Sequence, residues 1–414
     1  MKKIYMYSIM AAMFAAAVTG CGSRTNTDDK ALADNKVRTA VVSENNEEAL
    51  PVQLSDSKEN ENTTYTKRDL EQTADTCEAK NITVSDDTTI CITEEGVYTV
   101  KGTAENCTIR VEADENAKVQ LVLDGVSVTN SDSPVIYVVS ADKVFITTSG
   151  SENDLTVSGE FKADGDTNTD AVIYSKDDLV LNGTGTLNVT SYYGNGITSK
   201  DDMKITGGTF NVRSALDAFE ANDSISISDG TFNIATNKDG FHCENDEAEG
   251  IITISGGTFS INGGSDGIQA CAMVQIDGGT IDINAAEGIE ATYVLINDGD
   301  INIYATDDGI NASTGTDAYE TAIVINGGNI TVEVGHGDTD AIDSNGSIYV
   351  NGGTVNVTAQ MSSFDYDKTA EFNGGTIIIN GAEVSEIPQS MMGGGMHGGM
   401  NGGPGGLGGR GGRF

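Results

Sequence analysis

The chain has 414 residues and a formal net charge of −40, from 63 Asp and Glu against 23 Lys and Arg. Such a surface excludes nucleic acid as a partner, because phosphate recognition needs a basic face. No Lys or Arg occurs from residue 239 to 367, so whatever balances the carboxylates of that stretch comes from outside it.

At the amino end, Lys2 and Lys3 precede an apolar run to Val18. The run is too short to span a bilayer and is followed by small residues, the pattern of a signal peptide over residues 1–20. Val18-Thr19-Gly20-Cys21 resembles the bacterial lipobox, which implies a diacylated Cys21 as the first mature residue. The expected location is the outer face of the cytoplasmic membrane, tethered by lipid; loss of Lys2 and Lys3 takes the formal charge from −40 to −42. Residues 21–78 are rich in Asn, Glu, Asp, Ser and Thr and poor in large apolar side chains, which predicts a disordered spacer.

From residue 79 to 386 a phrase recurs: "MKITGGTFNV" from Met203, "ISISDGTFNI" from Ile225, "VQIDGGTIDI" from Val274, "IVINGGNITV" from Ile323. The apolar residue after the turn falls at Leu187, Phe210, Phe232, Phe259, Ile281, Ile301, Ile330, Val355 and Ile377. A period near 22 residues with insertions marks stacked coils. Within each unit apolar residues alternate, as in Ile252, Ile254, Phe259 and Ile261, which is a strand period. The predicted fold is therefore all-β: a right-handed parallel β-helix of ten or more coils. An antiparallel sandwich does not require one residue type at one place in every unit. A solenoid does, because each side chain stacks on its counterpart about 4.8 Å away.

A second phrase follows the first: "KDGFHCE" from Lys238, "SDGIQAC" from Ser265, "AEGIEAT" from Ala286, "TDDGINAS" from Thr306. Its acid position reads Asp170, Asn195, Asp217, Asp239, Asp266, Glu287, Asp308 and Asp340. Three residues on, the outward position is often acidic too, at Glu220, Glu290 and Asp343; the following turns add Asp177, Asp178, Asp201, Asp202, Asp223, Glu244 and Asp246. Two like charges about 5 Å apart repel by roughly 3 kcal/mol at an effective dielectric near 20. A column of them calls for cations, raised pKa values or hydrogen bonds. Hard oxygen ligands at this density suit Ca²⁺, with a hydrogen-bonded polar ladder free of metal as the alternative.

The pairing of the two phrases resembles the bacterial carbohydrate-binding-domain lipoproteins. That family has a calcium-binding right-handed β-helix, binds cellulose and polygalacturonate, and is similar to family 9 pectate lyases. The matching units run over roughly residues 80 to 385, and a Gly/Met-rich tail is typical as well. The resemblance implies calcium at Asp217, Asp239, Asp266, Glu287, Asp308 and Asp340, and an acidic plant polysaccharide as ligand. Asn195 departs from the motif, and Lys238 stands where "DDGI" has Asp307.

The expected function is calcium-dependent polysaccharide binding without cleavage. The alternatives are a calcium-dependent pectate lyase and a structural adhesin that uses calcium for rigidity. A lyase needs a base for the C5 proton. Lys238 and Arg213 are its candidates, each also readable as a partner for the acids. The missing Trp removes the usual sugar platform, for which Tyr192, Tyr193, Tyr293 and Tyr304 can partly substitute. Cys77, Cys91 and Cys107 lie near the first coils and leave room for one disulfide, while Cys243 falls in a small interior column with Ala221 and Ala270. Residues 387–414 carry 13 glycines between Gly393 and Gly412 and read as a flexible tail. Its Met391, Met392, Met396, His397 and Met400 are soft enough for Cu(I).

Overall fold

The computed structural model describes residues 64–244, 250–337 and 339–388. The signal peptide, Cys21, Asp246 and the Gly/Met-rich tail beyond residue 388 fall outside the described residues.

Alternating Ile, Val and Phe bury one side of every strand, so each coil closes on itself as three short strands around an apolar centre. Coil after coil then stacks in parallel. The strands Asp178–Gly183, Thr186–Ser191 and Asn195–Ser199 form one coil; Met203–Ile205, Thr209–Ser214 and Phe219–Ala221 form the next. Each pairs only with its counterparts above and below. The result is a parallel β-solenoid of about 12 turns with a period of about 24 residues, somewhat above 22 because of insertions. No helix occurs among the described residues.

Three ladders follow. The first carries the strands before the Gly-Gly turn, the second those after it, and the third, of twelve strands, carries the Asp-Gly phrase. The first two fuse at the amino end. There one long strand, Lys118–Asn130, pairs with both Lys143–Thr148 and Glu152–Val157. It turns the corner at Gly125, whose φ of 71° suits glycine.

Inside, Phe210, Phe232 and Phe259 stack with ring centroids 5.4 and 4.5 Å apart, and Phe219 stacks on Phe241 at 4.8 Å. The two stacks meet edge to face, the arrangement ring quadrupoles favour. Beside them runs the small column, including Ala221, Cys243, Ala270, Ala291 and Ala312. Cys243 is buried, and Cys77, Cys91 and Cys107 are free thiols, so none of the latter three forms the disulfide their spacing leaves room for.

Part of the predicted spacer is a strap rather than free chain. From Thr64 the segment lies on the first ladder. Arg68 sits 4.3 Å from the Phe145 ring centroid. Gln72 donates to the Thr206 carbonyl at 2.9 Å and accepts from the Gly183 N–H at 2.9 Å. Asn182 donates to the Asp69 carbonyl, and Asp69 is fully buried. The strap is held by polar contacts and one cation over a ring, not by an apolar stripe, which is why its composition resembles disordered chain. At the carboxyl end, Ala382–Val384 folds back antiparallel on Thr376–Ile379.

Candidate functional site

The acid column opens the third ladder, and its first member is out of step. Asn195 pairs with Ala171, not Asp170, so Asp170 lies in the turn before the column. From Asn195 onward the register holds, with Asp266 opposite Glu287. The glycine that follows each acid is steric. A Cβ on Gly240 would come within 2.5 Å of the Gly267 carbonyl oxygen, and one on Gly309 within 2.5 Å of the Ala341 carbonyl oxygen. The acids' own carbonyls accept ladder hydrogen bonds, as from the Gly240 N–H to Asp266 and the Gly309 N–H to Asp340.

One side-chain oxygen of Asn195, Asp217, Asp239 and Asp308 also serves the fold. The Asp217 N–H donates to Asn195 Oδ1, the Asp239 N–H to Asp217 Oδ1, the Asp266 N–H to Asp239 Oδ1, and the Asp340 N–H to Asp308 Oδ1. The second oxygens face the outward residues of the third ladder, which run Thr198, Glu220, His242, Gln269, Glu290, Asn311 and Asp343.

Those oxygens meet different surroundings along the column. At Asp217 and Asp239 the counterion is internal. Lys238 Nζ lies 2.9 Å from Asp217 and 3.6 Å from Asp239, and His242 Nδ1 lies 3.3 Å from Asp217. Burial opposes the Asp217 charge, but the His242 and Lys238 contacts outweigh it and bring the carboxyl down to about 2. The same contacts raise Lys238 and His242 against their own burial. Sequence reasoning missed His242 here: its closeness to Asp217 is a relation between coils that spacing along one coil does not reveal.

From the next coil onward, no Lys or Arg of the described residues pairs with the column. Burial and then the neighbouring carboxylates push Asp266 up to about 7; Glu287 also rises to about 7, and Asp308 to about 6. Asp343 is likewise pushed to about 7 by burial, Asp308 and Asp340. Oxygens of Asp266, Glu287 and Glu290 lie within 4.8 Å of one another. Asn311 donates to Glu287 at 3.1 Å, while its buried Oδ1 finds no hydrogen-bond partner. Three carboxylates and an unsatisfied amide oxygen are the donor set a hard divalent ion takes, so this place fits calcium. The Asp217 place fits it less well, since Lys238 already supplies the positive charge.

The turns between the third and first ladders hold a second group, Asp178, Asp201 and Asp202, again within 4.8 Å. Burial and the surrounding aspartates raise Asp201 to about 6. Lys143 contacts Asp178 at 3.1 Å, and Ser224 donates to Asp202 at 2.6 Å. Asp177 is not part of that group and accepts from the Ala141 N–H. Glu220 accepts from Asn195, Thr198 and Lys200. Glu244 is exposed beside His242 Nε2, and Asp223 follows the small column in the turn after Ala221. Arg213 stands apart on the second ladder, opposite Thr190 and Ala235.

A long parallel solenoid with an in-register row of carboxylates offers a linear ligand a linear repeat. The chain belongs to the family of carbohydrate-binding domain-containing proteins, which it matches over residues 86–339. A relative of that description from Acetivibrio thermocellus is 41% identical over 126 residues, which is 30% of this chain and 44% of the relative, so the match spans less than half of that protein. Among solved structures, the gadolinium derivative of a polysaccharide lyase-like protein from C. thermocellum is similar at 30% identity with a TM-score of 0.50, over 53% of this chain and 96% of that one. The matched region, residues 86–339, is thus of the carbohydrate-binding-domain type.

Proposed function

We propose that this protein is an exported, lipid-anchored lipoprotein that binds an acidic, pectate-like polysaccharide through calcium and does not cleave it. The observation that carries the reading is the Asp266, Glu287 and Glu290 cluster. Burial and neighbouring carboxylates drive Asp266 and Glu287 up to about 7, and the ligand set of the cluster suits Ca²⁺. A chain of net charge −40 repels a polyuronate unless divalent ions bridge the two sets of carboxylates. Calcium would neutralise charge here and fix the outward carboxylates. This chain's residues would hold the ion and present a rigid row to the ligand.

Absence of cleavage rests on the two candidate bases. Lys238 is engaged by Asp217 and Asp239 and its pKa is raised, the wrong direction for a proton acceptor. Arg213 belongs to another ladder. The test is retention of polygalacturonate by the protein with calcium and with chelator, while absorbance of unsaturated uronides is followed. Calcium-dependent retention without product is expected. Retention that survives chelation overturns the calcium reading. Product that disappears in Lys238→Ala establishes the lyase, the activity that the name of the solved relative suggests.

A further inference from the structure

The coil that opens at Lys238 departs from its neighbours at two positions. Lys238 stands where the later phrase has Asp307. His242 stands in the outward row that carries Glu220 one coil before and Glu290 two coils after. Together they change what the column offers an ion. One oxygen of each aspartate is engaged by the fold: Asp217 Oδ1 accepts from the Asp239 N–H, and Asp239 Oδ1 from the Asp266 N–H. The other oxygens face an imidazole, with His242 Nδ1 3.3 Å from Asp217 Oδ2 and 4.0 Å from Asp239 Oδ2. Oxygens of both aspartates and a ring nitrogen of His242 lie within 4.8 Å of one another. Calcium takes about six to eight oxygens, and two free carboxylate oxygens are too few for it.

We propose that Asp217, Asp239 and His242 form a site for a zinc-class divalent ion, distinct from the calcium-type cluster at Asp266, Glu287 and Glu290. An imidazole nitrogen with two carboxylate oxygens suits Zn²⁺, which accepts three protein ligands and keeps a fourth position open. Ligand atoms about 2.1 Å from a tetrahedral ion stand about 3.4 Å apart. The His242–Asp217 separation already matches that value, and the His242–Asp239 separation exceeds it by about 0.6 Å. The histidine is also supported from behind. Its side chain is only 12% exposed, and its second nitrogen, Nε2, lies 3.4 Å from the Glu244 carboxylate. A carboxylate there holds the proton on Nε2 and turns the Nδ1 lone pair towards the aspartates, the usual support of a metal-binding histidine. Asp239 has a side chain only 2% exposed, and the nearest Lys or Arg nitrogen to its Oδ2 among the described residues is Lys238 Nζ, at 3.6 Å.

Lys238 is the group the ion displaces. Its Nζ lies 2.9 Å from Asp217 Oδ2, and its side chain is 43% exposed. A flexible four-carbon stem can carry the ammonium out into water. Exchanging one positive charge for two favours a pair of nearly buried carboxylates. Metal affinity is thus set against the lysine, and removing the lysine strengthens it. The ligands are different side chains from those of the calcium-type cluster, so this inference does not depend on the calcium reading.

The test is calorimetric titration of the full chain with Zn²⁺ in saturating calcium, with Co²⁺ as a spectroscopic probe of the same place. Zinc is expected to bind, and Co²⁺ to give visible ligand-field bands that zinc bleaches. Asp217→Asn and His242→Gln are each expected to weaken zinc by about tenfold or more and to abolish the bands, and Glu244→Ala to weaken it about tenfold. Lys238→Met is expected to tighten it. Glu290→Gln and His397→Gln are expected to bind zinc as the parent does. Melting temperatures in chelator separate loss of a ligand from loss of the fold. Where His242→Gln does not fold, Glu244→Ala carries the same test, its side chain being 69% exposed. The proposal is overturned if no zinc binds in calcium, or if folded His242→Gln binds as the parent does. Loss of the bands in His397→Gln also overturns it, since the ion would then sit on the tail. So does zinc lost in Glu290→Gln and kept in Asp217→Asn, which would place it in the calcium-type cluster.

Discussion

The backbone N–H of Asp239 donates to the carboxylate of Asp217 at 3.1 Å, across the gap between two successive coils. The same bond recurs from Asp266 to Asp239 and from Asp340 to Asp308. The acid column is thus a structural ladder and a row of outward oxygens at once. Replacing an acid by its amide keeps the bond to the next coil and removes only the charge, so Asn195 is tolerated at the head of the column. The amide is therefore the substitution of choice for separating fold from function.

Stability in chelator is expected to fall as pH rises. A carboxyl whose folded pKa is raised holds its proton more tightly in the folded chain than in the unfolded one. Between about 4, the ordinary carboxylate value, and about 7, the folded-state value of Asp266 and Glu287, the folded state carries more protons, so stability declines with pH. Asp217, lowered to about 2, works the other way. Its contribution is complete above about 4 and is lost only as pH falls through 2. Melting temperature should drop by several degrees from pH 5 to pH 8 in chelator, and Asp266→Asn with Glu287→Gln should flatten the curve. A melting temperature that climbs over that range contradicts the assigned shifts.

Lys238→Met is expected to destabilise the protein by about 2 kcal/mol, since Asp217 has almost no access to water and would lose one of its two cationic partners, keeping only His242. The lysine is 43% exposed in its side chain and Asp217 only 5%, so the penalty lies on the aspartate. Adding Asp217→Asn should recover most of the loss. A double-mutant cycle in urea reads this directly; additive losses would show that the pair is not coupled.

Phe232→Ala is expected to lower stability by about 3–5 kcal/mol, the range for emptying a buried aromatic site. Phe232 lies between Phe210 and Phe259 and touches Phe219 and Phe241 edge on, so neighbours on two ladders must collapse to fill the space. Phe232→Leu should lose less than half as much in chemical denaturation. Equal losses for the two variants would mean that ring stacking, rather than volume, holds this layer.

The coil architecture was legible because side chains that stack across coils are also alike in sequence: Phe210, Phe232 and Phe259 align by eye and pair in the structure. Asp170 was misaligned by one position. The loop ahead of it breaks the spacing, and a shift of one residue exchanges the two faces of a strand; Ile173, which arrives one residue late in that coil, was the visible sign. The strap from Thr64 was not legible, since its anchors are backbone carbonyls and the Arg68–Phe145 contact. Nor was the division of the acid column. Lys238 and His242 reach back to Asp217 from the next coil, whereas Asp266 meets Glu287 and Glu290 with no cation near. That difference depends on which side chain of one coil leans on the next.

Calcium should bind where that division leaves carboxylates unbalanced. Glu290→Gln is expected to remove one calcium from an equilibrium dialysis count and to reduce the thermal stabilisation by calcium. Asp217→Asn, beside Lys238, should change neither. For a site that only the folded state offers, stabilisation reaches about 2.7 kcal/mol at a hundredfold excess over Kd, large enough to separate the variants. Glu290 also accepts from Gln269 at 3.1 Å and from Ser313 at 2.7 Å, and the amide can keep one of these bonds, so a fold defect does not confound the count. Asp201→Asn serves as a second probe, directed at the group with Asp178 and Asp202. If Asp217→Asn removes the calcium and Glu290→Gln leaves it, the ion sits at the lysine-paired end and the assignment of the site is reversed.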